Sequence, residues 1–293
     1  MQISEVAIPV AHTTLAATCR TVPNAQATVL VHPATAVTQG FYSAFADYLA
    51  SRGFNVITYD YRGTGKSRPA SLRGMEVMMS DWIDQDVPAV TAWAATRFSD
   101  LPLLAVGHSV GGHALALSPS TSQLRAAMLI AAHAGATRTV RGWFERQRVR
   151  FVLSVLAPVL CRLLGYMPGK RIGLGEDLPR GVMLQWSGWC AQPRYFFDDP
   201  AVGAARRMAM QRIPMKVLSF TDDPWANPVA VDMLVSPLPQ ARLQRRQVSP
   251  REAGVPAIGH MGFFRRRCEA VLWKETADWL LAHCTQKERA EHA

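Results

Sequence analysis

Residues 107–112 read Gly-His-Ser-Val-Gly-Gly and follow directly on the apolar run Leu101-Pro102-Leu103-Leu104-Ala105-Val106. At the end of a short buried strand, a serine spaced between two such glycines fits a sharp, strained turn that would lift its Oγ above the sheet, where a Cβ two positions to either side would collide. Gly107 and Gly111 remove both collisions. Val110 then opens a helix, so its backbone N–H points to where negative charge on a reacting oxygen would collect. In a 293-residue chain the pattern Gly-x-Ser-x-Gly arises by chance about 0.1 times. Its meaning therefore rests on its surroundings.

Those surroundings alternate between strand and helix signals, the pattern of a mainly parallel sheet with helices on both faces. Ala27–His32 is an apolar strand ending at Pro33. A helix is expected over 40–52, with Phe41, Phe45, Tyr48 and Leu49 on one face and Gly53 as its stop. Phe54–Tyr59 is a second buried strand, and 82–97 a helix that Pro88 should kink. Further strands are expected over 103–106, 126–132 and Pro214–Phe220, and a last helix over 264–283. Arg265, Arg266 and Arg267 fall at the start of that helix, where its macrodipole disfavours positive charge. Between residues 136 and 212 the alternation stops, and the apolar stretches look helical but disjointed. The expected organisation is an α/β core formed by 1–135 and 213–293, with 136–212 as an inserted helical lid.

Hydrophobic residues make up 49% of the chain and charged ones 18%, enough to bury a sizeable core. The N-terminus lacks a basic segment followed by an apolar one, so no signal peptide is expected. Cys19, Cys161, Cys190, Cys268 and Cys284 show no C-x-x-C spacing, which speaks against a zinc site or disulfide framework and fits a reducing cytoplasm. The apolar stretch 151–166 is too short to span a bilayer and contains Pro158 and Arg162. The net charge is +10, and 136–212 alone holds thirteen Arg/Lys against five Asp/Glu, hence 13 − 5 = +8. No nucleic-acid motif accompanies that excess, so nucleic acid is not an expected partner. A solvated basic surface explains it, and attraction of an anionic substrate or membrane surface is the sharper alternative. No oligomeric state is implied.

An activated serine needs a base, the base needs an orienting group, and the developing oxyanion needs donors. Two later segments offer the first two. Asp222 and Asp223 lie in Ser219-Phe220-Thr221-Asp222-Asp223-Pro224-Trp225, straight after a strand. His260 lies in Ile258-Gly259-His260-Met261-Gly262, just before the last helix.

Together these residues resemble the α/β-hydrolases. The elbow matches that family's Gly-x-Ser-x-Gly, and Asp60-x-Arg62-Gly63-x-Gly65-x-Ser67 its loop D-x-R-G-x-G-x-S. Pro214 to Pro228 resembles its stretch P-V-L-x-x-x-G-x-D-D-P-x-x-P, with Phe220 in place of the glycine. The runs His-Pro-Ala-Thr (32–35), Ser-Phe-Thr-Asp-Asp-Pro-Trp (219–225) and Ile-Gly-His-x-Gly-Phe-Phe (258–264) are similar to a bacterial group of predicted α/β-hydrolases. The resemblance covers the chain outside 136–212. It implies Ser109 as nucleophile, His260 as base and Asp223 as acid, with Asp222 as the alternative acid. It implies Val110 and Ala34 as oxyanion donors, since Pro33 has no N–H, with Thr35 as the alternative. Thr35, His108, Trp225 and Met261 are expected to contact substrate; His108 and His113, which flank the elbow, are also read as packing or lining residues, and a pocket-facing His133 at the end of a strand stands only as an alternative. The implied reaction is cleavage of a small-molecule carboxylic ester or thioester with an apolar acyl part, through an acyl-enzyme and without cofactor or metal. Acyl transfer to an alcohol or thiol by the same residues, and a non-catalytic binding role on the same fold, stand as alternatives.

Overall fold

The computed structural model describes residues 1–238 and 242–284. The end of the expected core segment 213–293, residues 285–293, lies outside the described residues.

The apolar runs form the centre of the sheet. Ala27–His32 (β3), Phe54–Tyr59 (β4), Leu103–His108 (β5) and Ala126–Ile130 (β6) are buried at every position. That is the signature of strands covered on both faces. Gln2–Val10 (β1) and Thr13–Thr21 (β2) form an antiparallel hairpin on one edge. Pro214–Phe220 (β9) and Arg242–Val248 (β10) close the other edge in parallel. The eight strands run in the order β1-β2-β4-β3-β5-β6-β9-β10, and every pair from β4 to β10 is parallel. The C-terminal ends of β3, β5, β6, β9 and β10 therefore share one side of the sheet. In open parallel sheets, sites gather outside those ends.

β1, β2 and β10 were not expected as strands of this sheet. All three have exposed positions, and β10 (RLQRRQV) buries only Val248. Strands at an edge need less apolar sequence, and arginines on β10 discourage further pairing.

The first helix covers Ser43–Ser51 after a 3₁₀ turn, Gln39–Tyr42. Its buried stripe is Tyr42, Phe45, Ala46, Leu49 and Ala50, whereas Phe41 and Tyr48 are only half-buried. The expected face is thus rotated toward Tyr42. Pro88 falls just inside the helix Val87–Arg97, and a π-helical turn, Trp82–Asp86, precedes it. A proline lacks the N–H that would continue an α ladder, so the turn widens there. The last helix starts at Glu269, later than expected. Arg266 and Arg267 lie on a separate 3₁₀ turn and Arg265 sits 4.6 Å from the Phe41 ring centre. The three arginines therefore do not open the helix.

Between β6 and β9 no segment joins the main sheet. One long helix runs through Trp143–Phe151, a π turn Val152–Leu156, and Ala157–Leu164. A two-stranded ribbon pairs Tyr166–Met167 (β7) with Leu178–Pro179 (β8), and helices Arg180–Ala191 and Ala204–Met208 follow. The insertion is thus helical with one short ribbon. Among the described residues no helix is long and apolar enough to cross a membrane.

Candidate active site

Ser109 follows the last residue of β5 and precedes the helix Val110–Leu117. Its backbone is strained, with φ 52° and ψ −110°. The strain is held by packing. A Cβ on Gly107 would overlap the Gly111 backbone, and one on Gly111 would overlap the carbonyl of His32. Gly112, which follows the motif, lies as close to Ala132. The Ser109 N–H donates to the Ile130 carbonyl at 3.0 Å, tying the elbow to β6.

Residues 151 positions apart meet here. His260 Nε2 lies 3.1 Å from Ser109 Oγ, and His260 Nδ1 lies 2.8 Å from Asp223 Oδ2. Asp223 is buried, and its Oδ1 accepts from the N–H groups of Trp225 (2.8 Å) and Ala226 (3.1 Å). Burial raises the pKa of this carboxyl, but the hydrogen bond and charge of His260 outweigh it and leave it below the usual range. An ionised Asp223 holds the proton of His260 on Nδ1, which leaves Nε2 as an acceptor toward Ser109.

Asp222 points elsewhere. Its carboxylate accepts from the backbone of Ile258 (2.8 Å) and Gly259 (3.0 Å), clamping the loop that carries His260. Of the two expected acids, only Asp223 reaches the imidazole.

Of the two readings of His108, packing holds and substrate contact does not. It is fully buried behind the site and does not line the cavity. Its role is a directed relay. The Ala34 N–H donates to Tyr42 Oη (2.8 Å), so the Tyr42 hydroxyl proton goes to His108 Nδ1 (2.9 Å). A neutral His108 then carries its proton on Nε2, which donates to the His260 carbonyl (2.9 Å). Burial drives the pKa of His108 down to about 3, so it stays neutral.

The same relay corrects the expectation for Ala34. Its N–H is engaged by Tyr42 and is not free for an oxyanion. Among the described residues the N–H groups of Thr35 and Val110 have no partner, and both residues line the cavity beside Ser109. Asp60 supports the neighbouring chain by accepting from Gln39 N (2.8 Å), Gln39 Nε2 (2.9 Å) and Lys66 N (2.9 Å).

A cavity of about 530 Å³ opens at Ser109. Thr35, Trp225, Met261, His133 and His113 line it. Val149, Val152, Leu153, Met167, Leu178, Met183 and Trp186 of the insertion make its wall largely apolar. His133 stacks edge-on to His260 with ring centres 5.4 Å apart. Burial first, and the nearness of His260 second, push its pKa to about 3, so His133 stands uncharged beside His260. Two carboxylates reach the wall, and both are engaged. Glu145 binds Arg148 at 2.6 Å and accepts from Trp225 Nε1 at 3.1 Å, and Glu176 pairs with Lys170 at 2.7 Å. Among the described residues no group of His, Cys, Asp or Glu could hold a metal ion.

Tyr42 and Glu145 escaped the sequence reading. Tyr42 had a signal in the i, i+3, i+4, i+7 spacing of the buried stripe, whereas nothing local marks Glu145.

The geometry is that of an α/β-hydrolase, and comparison with known proteins agrees. The model of the family described as serine aminopeptidase, S33, matches residues 23–177, more than half of the chain, and the chain belongs to that family. Solved structures share the fold across almost the full length. A soluble variant of monoglyceride lipase from Saccharomyces cerevisiae, in complex with a substrate analog, is 14% identical with a TM-score of 0.63, covering 95% of this chain and 94% of its own. A thermophilic esterase from Thermogutta terrifontis is 16% identical with a TM-score of 0.57, covering 96% and 100%. A thioesterase domain from the curacin biosynthetic pathway is 13% identical with a TM-score of 0.55, also covering 96% and 100%. No curated protein matches the chain.

Proposed function

We propose that the protein is a serine hydrolase that cleaves a carboxylic ester or thioester with an apolar acyl part, and that residues 136–212 act as its lid. The observation that carries this reading is the Ser109–His260–Asp223 relay at the mouth of a largely apolar cavity. His260 Nε2 takes the Ser109 proton as Oγ attacks the carbonyl carbon, and Asp223 stabilises the imidazolium that forms. The N–H groups of Val110 and Thr35 hold the oxyanion. The imidazolium returns its proton to the leaving alcohol or thiol as the C–O or C–S bond breaks. Water, deprotonated by His260, then releases the acid and restores Ser109.

Esters and thioesters are favoured over peptides with a free N-terminus. A site for a substrate ammonium needs an available carboxylate, and Glu145 and Glu176 are both already paired. Two of the solved neighbours are named as an esterase and a thioesterase, which fits this choice.

The test is labelling with an active-site fluorophosphonate. The wild type should label, while Ser109→Ala should not and His260→Ala should label far more slowly. Equal labelling of Ser109→Ala would sink the proposal. A series of p-nitrophenyl esters should show kcat/KM rising with acyl length, and flat or short-chain-only activity counts against the apolar acyl part. Product analysis with an added alcohol or thiol separates hydrolysis from acyl transfer.

A further inference from the structure

The long helix over residues 143–164 is apolar on two sides. Val149, Val152 and Leu153 turn one side to the cavity. On an adjacent side Phe144, Phe151, Val155, Val159 and Leu163 are between 45% and 76% exposed. The last four recur every four residues. In a plain α-helix that repeat drifts around the axis, but the π turn over Val152–Leu156 takes up one extra residue and keeps the row in line. From Phe144 to Leu163 the row runs about 28 Å, at 1.5 Å per residue. Trp143 extends it at one end and is itself exposed. Soluble surfaces rarely leave such a continuous apolar row uncovered.

The charge beside the row is positive. Arg150 and Arg162 each stand one position before a row residue, Phe151 and Leu163, and so lie along the same edge. Among the described residues neither has an acidic partner, and the exposed Arg141 and Arg171 of the insertion have none either. The only acid on the helix, Glu145, is held by Arg148 and Trp225. An amphipathic helix with an aromatic and leucine row, an arginine edge and too many charges to span is built to lie in a bilayer interface.

We propose that this face docks on an anionic lipid surface, so that the helix lining the cavity also rests on the membrane. A second copy of the chain is a poorer occupant. In an antiparallel two-fold pairing each edge meets the same edge of the copy, which sets the arginines of the two edges, Arg150 and Arg162, against one another. The inference concerns binding and holds whether or not Ser109 is the nucleophile.

The experiment is cosedimentation of the full chain with phosphatidylcholine vesicles, and with vesicles of phosphatidylcholine and phosphatidylglycerol in equal parts. Wild type should bind the mixed vesicles about tenfold or more tightly than the neutral ones, and added salt should weaken that binding. The pair Phe151→Glu and Leu163→Glu should lose about tenfold or more on both vesicle types. The pair Arg150→Glu and Arg162→Glu should lose the preference for phosphatidylglycerol. All these residues lie outside the cavity wall. Both variants should therefore melt like wild type and hydrolyse a short soluble ester at its rate. The proposal is overturned if wild type binds neither vesicle or binds both equally, or if Phe151→Glu with Leu163→Glu binds as wild type does. A lipid-free dimer that these two substitutions split would also overturn it, in favour of a second copy.

Discussion

Replacing Tyr42 with Phe removes one oxygen from the fully buried relay that joins the loop after β3 to the loop of His260. Tyr42 Oη accepts from the Ala34 N–H at 2.8 Å and donates to His108 Nδ1 at 2.9 Å. Phe fits the same space and leaves both partners buried and unpaired. Each unpaired buried group costs about 1–3 kcal/mol, so the variant should lose about 2–6 kcal/mol. With an unfolding entropy near 2.1 cal/mol/K per residue, the melting temperature should fall by about 3–10 °C. The loss also reaches the site, because His108 anchors the His260 carbonyl at 2.9 Å. A freer His108 loosens the base, so kcat for a short ester should fall more than KM rises. Circular dichroism on heating and initial rates on a p-nitrophenyl ester measure both effects. Tyr48→Phe is the control, since among the described residues its hydroxyl bonds only the half-buried Arg52, and its effect should stay within about 0.5 kcal/mol. If Tyr42→Phe melts within about 1 °C of wild type, the relay does not hold these loops together.

Other outcomes follow from the same geometry. Asp223→Asn should cut kcat by about 10⁴, while Asp222→Asn, which loses only part of a backbone clamp, should keep activity within about tenfold; rates for the two variants decide it, and a reversed order refutes the assignment. Gly111→Ala places a Cβ on the His32 carbonyl and should destabilise by about 3 kcal/mol or fail to fold; a normal urea midpoint would contradict the packing. Burial lowers the pKa of His32, His108 and His133 to about 3 and of His113 to about 4, so the folded chain keeps them neutral while the unfolded chain protonates them. Stability is full above the unfolded value of about 6.5 and drops as pH falls toward those values, by about 1.4 kcal/mol per pH unit for each histidine. Melting temperature should therefore fall steeply between about pH 6.5 and pH 5, and a flat profile would rule this out.

The β3, β4, β5, β6 and β9 strands were legible because each is a short apolar run closed by turn residues. The edge strands were not, since β10 is mostly polar and earns its place only by pairing with β9. The helix at Ser43–Ser51 was legible, but its buried face was misjudged by one position, and Tyr42 went unread with it. His108 looked like a pocket residue because it adjoins Ser109. Ser109, however, lies on the turn beyond β5, while His108 is the last residue of the strand and is buried in the core.

Local chemistry is what the sequence by itself determined. The fold class follows from repeat patterns along the chain and the elbow from the spacing of its glycines and serine, whereas the His32 carbonyl that bars a Cβ at Gly111 is brought there by β3. Tertiary structure alone decided which of two adjacent aspartates meets an imidazole 37 positions away, and which of two adjacent N–H groups stays free. The reason is physical. Asp222 and Asp223 have the same chemistry, and so do the amides of Ala34 and Thr35. Only partners brought in from distant elements, Ile258, His260 and Tyr42, use up one of each pair and leave the other for the site.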